Sequence, residues 1–186
     1  TTVSGFASAK SIQQWRKRVG AEKANKISTQ AAVRGTAVHK LCEDYINNVE
    51  NYEEKHMPVN IQAFNSIKSF LNNNLNNVIM QECPLYSDYL EVGGRVDCIA
   101  DWNGTLSVID FKTSRKVKKK EWIKGYMMQE SAYCVMFEER TKIPIKQIVT
   151  VITVDNEEPQ VFIENRDNFI WDFIDVRKQF REYYKK

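Results

Sequence analysis

Gly94-Arg-Val-Asp-Cys-Ile-Ala-Asp-Trp-Asn-Gly-Thr-Leu-Ser-Val-Ile-Asp-Phe-Lys112 is the stretch that decides how this chain is read. Two strand-like runs, 94–101 and 105–112, flank Asn103-Gly104. Asn-Gly in that setting is the strongest short-range hairpin signal, because both central residues of a type I′ turn need positive φ. A two-residue loop sets Asp97 directly across from Asp110, with their Cβ atoms about 4.5–5.5 Å apart. Lys112 follows two residues later on the face of Asp110, since side-chain direction repeats every second residue. Facing carboxylates repel and are best tolerated with a cation between them. The constellation therefore predicts a divalent-metal site with a lysine beside it. A solvated hairpin with chance alignment of charges would have one wet face. Here Val96, Ile99, Val108, Ile109 and Phe111 predict cover on both faces. A buried acidic pair without a partner would cost on the order of several kcal/mol or titrate away.

At 186 residues, with 42% apolar and 27% charged residues, the chain has the size and composition of one globular domain. No apolar run approaches the ~18 residues of a membrane span. The start lacks both an initiating Met and the apolar core of a signal peptide, so it reads as trimmed or tagged. A net charge of +3 does not by itself define a nucleic-acid partner. Its distribution is more informative: Arg115-Lys-Val-Lys-Lys-Lys120 places cations immediately after the hairpin, and Arg16-Lys-Arg18 forms a second cluster. Either cluster also suits a solvated loop. The cysteines, Cys42, Cys83, Cys98 and Cys134, show no C-x-x-C spacing and read as reduced core residues of an intracellular protein.

Periodicity predicts a short amphipathic helix over 8–19 and a longer one from Ser28-Thr29 to about Asn48, with Val38, Leu41, Cys42 and Tyr45 as its apolar stripe. His39 and Glu43 share a second face of that helix. Pro58 opens a third helix that dissolves in the Asn-rich stretch 72–77. A strand carrying Glu82 precedes the hairpin. A helix over Glu121–Arg140 puts Gln129 and Tyr133 on one face, and Lys146–Val154 reads as a long strand too apolar for an exposed edge. Gln160–Glu164 pairs nearby, and a last helix starts at about Arg166. This order predicts an α/β fold with a mixed sheet flanked by helices. It divides one domain, 1–186, into a helical part (1–77), a sheet with its Gln129/Tyr133 helix (78–164) and a C-terminal helix (165–186).

His39, Asp97, Asp110-Phe-Lys112 and Gln129-Glu-Ser-Ala-Tyr133, in that order, resemble the RecB-like branch of the PD-(D/E)XK nuclease superfamily. Val96 stands where the superfamily's name has Pro. Within the branch, residues 94–114 and the aromatic, basic end Phe180-Arg-Glu-Tyr-Tyr-Lys-Lys186 look most like the mitochondrial genome maintenance exonucleases and their phage-encoded relatives. The resemblance implies a restriction-endonuclease-like core and an Mg²⁺- or Mn²⁺-dependent DNA exonuclease that prefers single strands with a free end. Some branch members carry an iron-sulfur cluster on cysteines near the C-terminus. No Cys follows Cys134, so none is expected here. A structure-specific endonuclease and a non-catalytic nucleic-acid-binding module are the rival functions.

The resemblance implies metal ligation by Asp97, Asp110 and the Phe111 carbonyl, water activation by Lys112, and contact of Gln129 and Tyr133 with the scissile phosphate or the water. His39 and Glu82 are further candidate ligands, although a helical His and a strand Glu are as often structural. Glu43 is expected to orient His39 or bind Arg34. Arg34, Arg115, Lys116, Lys118, Lys119 and Lys120 are candidate phosphate contacts, and Trp15, Trp122 and Tyr126 are candidate stacking residues, although aromatics at helical spacing more often belong to a core. The expected partner is DNA, with no oligomer required and no membrane expected. The expected setting is intracellular: the host cytoplasm for a phage or bacterial protein, with the mitochondrial matrix as the alternative.

Overall fold

The computed structural model describes residues 2–184; Thr1, Lys185 and Lys186, the last two being the basic end of the 180–186 resemblance, lie outside them. The hairpin forms as its turn chemistry requires, with Asn103 at φ 53° and Gly104 at φ 74°. Strands β2 (Val92–Trp102) and β3 (Thr105–Ser114) pair antiparallel from Trp102↔Thr105 to Cys98↔Ile109. That is the register expected from the two-residue loop. The ladder stops one pair short of Asp97 and Asp110, so the strands part where the two carboxylates sit.

β1 (Leu75–Ser87) lies on the outer side of β2, and β4 (Gln147–Val154) runs parallel to β3 after a crossover through α4 (Lys124–Thr141). β5 (Gln160–Asn165) folds back antiparallel on β4, giving a five-stranded mixed sheet in the order β1-β2-β3-β4-β5. β4 is thus an interior strand, which accounts for its unbroken apolar run.

Each face of the sheet carries a helical layer. On one, α2 (Ala21–Ile46) and α3 (Pro58–Asn74) bury Val38, Leu41, Phe64 and Ile67 against Cys98, Ile109, Phe111 and Val151. On the other, α4, α5 (Ile170–Tyr184) and Val3 of α1 (Thr2–Val19) bury Met127, Phe137 and Phe173 against Ile99, Val108 and Ile152. Cys42, Cys98 and Cys134 are buried free thiols and Cys83 is half-buried. Among the described residues, no helix is long and apolar enough to cross a membrane.

Several boundaries differ from expectation. α1 begins at Thr2, and α2 begins at Ala21, not at Ser28-Thr29. The break is Gly20, whose φ of 87° interrupts the helical path, while Ser28 and Thr29 lie inside α2. α3 persists through the asparagines to Asn74, whose side-chain amide donates to the Phe70 carbonyl at 2.7 Å, and β1 follows without a loop. The site helix starts at Lys124, after a 3₁₀ turn over Lys120–Trp122.

The α2/α3 layer is what holds His39 over the hairpin. Its central side chain is Phe64, fully buried and edge-on to Tyr45 and Tyr52. Phe64→Ala is expected to lower the unfolding free energy by about 3–5 kcal/mol in urea titrations. A loss below about 1 kcal/mol would show that this layer contributes little to stability.

Candidate active site

The parted ends of β2 and β3 leave the Phe111 N–H without a strand partner on the β2 side. The Asp97 carboxylate takes it at 2.9 Å. The same oxygen, Oδ2, lies 3.4 Å from Nδ1 of His39, which α2 holds over the sheet. Glu82 comes from the adjoining strand β1, with its Oε1 3.9 Å from that nitrogen. Glu82 has φ 45°, a conformation disfavoured for a residue with a Cβ, between the regular pairs Gln81↔Cys98 and Cys83↔Val96. One donor atom each from His39, Glu82 and Asp97 falls within 4.8 Å of the others.

Asp110 is placed differently. It is 3% exposed, faces α4 and forms an ion pair with the Lys112 ammonium. Lys112 in turn lies 5.2 Å from the ring centre of Tyr126. The two aspartates are therefore satisfied separately, one by His39 and a backbone N–H, the other by lysine. The expected need for a cation to separate them is met by protein groups. Asp110 lies outside the His39/Glu82/Asp97 donor group, and the hairpin thus presents two adjoining acidic positions.

The electrostatics follow from burial and pairing. Burial pulls the His39 imidazole down, but the hydrogen bond and charge of Asp97 outweigh it, so its pKa is raised. Burial pushes Asp97 up, and His39 and Lys112 more than reverse this, leaving it lowered. Asp110 is pushed up to about 6 by burial, against the pull of Lys112. Burial would depress Lys112, yet Asp110 and Asp97 raise it. The neighbouring carboxylates thus favour the ammonium form of Lys112. Glu82 is raised, by burial first and then by Asp97.

Gln129 and Tyr133 sit together on α4, with Gln129 Nε2 donating to Tyr133 Oη at 2.9 Å. Of the candidate phosphate contacts, Arg34 pairs with Asp155 and Lys120 with Glu164. Arg115 donates to Gln30 at 2.9 Å, and the Lys118 backbone N–H donates to Gln160. Lys116 is exposed, and the Lys119 ammonium lies 5.6 Å from the ring centre of Trp122. The basic run is thus partly neutralised by the β4–β5 edge. Glu43 pairs with Lys40 at 3.1 Å, and neither orients His39 nor binds Arg34. Trp122 is 64% exposed, Trp15 is half-buried, and Tyr126 packs against Lys112.

Glu130 is the site neighbour that sequence reasoning missed. It is 1% exposed, accepts a hydrogen bond from Thr150 Oγ1 at 2.6 Å, and leaves its second oxygen without a partner. Thr150 is the register partner of Asp110 across β3 and β4. The available signal was a glutamate in a helical run whose other buried residues are Met, Ser, Ala, Tyr, Cys and Phe. Burial, and then the charge of Asp110, push the Glu130 carboxyl well above its usual range.

The model of the PD-(D/E)XK nuclease superfamily matches residues 46–179. The chain belongs to the PD-(D/E)XK nuclease superfamily. His39 lies ahead of the matched region. A protein of Eubacterium rectale, whose solved structure carries the provisional name exonuclease, superposes with a TM-score of 0.56 at 11% identity over 80% of this chain. The match spans 65% of that protein, just under two thirds of its length, and at this identity it speaks to the fold alone. A second solved structure, named SSO0001, aligns at 13% identity and a TM-score of 0.45 over 96% of this chain and 74% of its own. No curated protein matches the sequence.

Because Glu130 holds its proton more tightly folded than unfolded, the folded state binds more protons between the two pKa values. Stability is then fullest below the unfolded pKa and falls as pH rises toward the folded one, by at most about 1.4 kcal/mol per pH unit for one group. Glu130→Gln keeps the acceptor for Thr150 and removes the titration. Its unfolding midpoint in urea should match the parent near pH 4 and exceed it increasingly toward pH 8. Parallel curves would place Glu130 outside the acidic cluster.

Proposed function

We propose that this chain is a divalent-metal-dependent deoxyribonuclease of the RecB-like type, acting from free ends with a preference for single-stranded DNA. The observation that carries the reading is the meeting of His39, Glu82 and Asp97 beside the Asp110–Lys112 ion pair, within a chain of nuclease-superfamily membership. One imidazole and two carboxylates suit a hard or borderline divalent ion, Mg²⁺ or Mn²⁺, better than a soft one. Asp110 and the Phe111 carbonyl are the further ligands in this proposal.

A bound divalent ion would neutralise phosphoryl oxygens and lower the pKa of an attacking water. The chain's own groups do the rest. Asp97 holds His39 in place and is itself fixed by the Phe111 N–H, so the donor set is organised before substrate arrives. Lys112, charged and held between Asp110 and the ring of Tyr126, is positioned to orient the water and offset charge gathering on the phosphate. Gln129 and Tyr133 supply hydrogen-bonding groups above it. Arg115, Lys116, Lys118 and Lys119 are the cations proposed to follow the strand, together with Arg34 and Lys120 once these exchange their carboxylate partners for phosphates. DNA rather than RNA as substrate, the exonuclease mode and an intracellular setting in replication, repair or phage DNA metabolism are parts of the same proposal.

End-labelled linear and circular single strands incubated with Mg²⁺, Mn²⁺ or EDTA test it. Linear DNA should be degraded only with metal, and circles should persist. Circles cut as fast as linear strands would replace the end-dependent reading with an endonuclease, and binding without cleavage would leave a binding module. Asp97→Asn and Lys112→Ala should each lower the rate by about 10²–10³-fold. His39→Ala should instead raise the Mn²⁺ concentration needed for half-maximal rate, by about 10–100-fold. An unchanged metal titration would make His39 structural.

A further inference from the structure

Against α4, beside Gln129 and Tyr133, lies a cavity of about 170 Å³, partly open to solvent. Two small residues are in its lining, Gly93 near the start of β2 and Ala132 of α4. The remaining wall carries the Met136 thioether and the Phe173 ring, both buried, with the Gln129–Tyr133 pair at one edge. Gln129 Nε2 already donates to Tyr133 Oη, which leaves the Gln129 Oε1 acceptor and the Tyr133 hydroxyl proton for another group. The pocket therefore joins an apolar, sulfur-and-aromatic interior to one acceptor and one donor at its rim.

Size narrows the occupant. A dry cavity of about 150 Å³ takes one benzene ring, whereas whole small-molecule ligands occupy about 300–1,000 Å³. The cavity thus fits one six-membered ring with a polar edge, belonging to something anchored elsewhere. The same turn of α4 lies over the catalytic hairpin: Glu130, next to Gln129, bonds Thr150, the register partner of Asp110. Tyr133 lines the cavity and also feels the charges of Asp110, Asp97 and Lys112, so the base next to a phosphate held at the hairpin would lie close to it.

We propose that the cavity is a nucleobase subsite that takes an unpaired pyrimidine from a nucleotide flanking the scissile phosphate. The proposal rests on the nuclease reading and adds a base preference to it. A ring enters only after leaving its stack, which single strands allow at low cost and duplexes resist. The two-ring purines overfill the space, so they gain no more than an abasic residue does.

The test uses the full chain with Mn²⁺ and one single-stranded scaffold sequence, carrying a pyrimidine, a purine or an abasic residue at successive positions. Cleavage at one fixed offset from the varied residue should be about tenfold faster for pyrimidine than for abasic, the scale of one base-stacking contact, with purine close to abasic. Ala132→Leu, which fills the cavity, should remove the pyrimidine advantage. If that variant does not fold, the wild-type series alone decides the matter. A wild-type enzyme that cleaves all three series equally at every offset overturns the subsite and leaves the nuclease reading standing. A chain that cleaves no DNA overturns both.

Discussion

The structure turns on one hydrogen bond, from the Phe111 backbone N–H to the Asp97 carboxylate. It replaces the strand-to-strand contact that a continuing hairpin would make, so β2 and β3 part without leaving a buried donor unpaired. The parting makes room for Glu82 from β1 and His39 from α2, while Asp110 and Lys112 keep the α4 side of β3 that alternation gives them with Val108. A hairpin zipped to its end would press two carboxylates together and admit neither neighbour. Fold and site are thus set by the same local choice.

That choice stores electrostatic stress in a manageable form. Asp97 is stabilised by an imidazole and a dipole, Asp110 by an ammonium, and Glu130 by the hydrogen bond it accepts from Thr150. Each solution costs less than an unpaired buried charge. The arrangement also leaves the carboxylate and imidazole donor atoms close enough to share a cation. Burial alone would depress Lys112, and the neighbouring carboxylates raise it instead. Here the surrounding carboxylates decide the sign.

The hairpin register, the side on which Lys112 falls and the interior position of β4 were legible because turn chemistry and two-residue alternation are local rules, whereas His39 was joined to Asp97 only by the family resemblance. What escaped depends on more distant packing. The start of α2 is fixed by a glycine with positive φ, while Ser28-Thr29 offered a better-looking cap inside the helix. Helix α3 runs through asparagines because tertiary packing overrides weak propensity. Pairing of Arg34 with Asp155, and of Lys120 with Glu164, joins residues far apart in the chain. Glu130 was hidden because its partners, Thr150 and the Asp110–Lys112 pair, lie on strands that only the crossover brings under α4.

The most direct measurement is anomalous diffraction from crystals of the protein soaked in Mn²⁺. The account predicts a manganese peak bounded by His39, Glu82 and Asp97, with the Asp110 carboxylate turned toward it. A peak elsewhere, with His39 still on Asp97 and that space empty at saturating manganese, would contradict it.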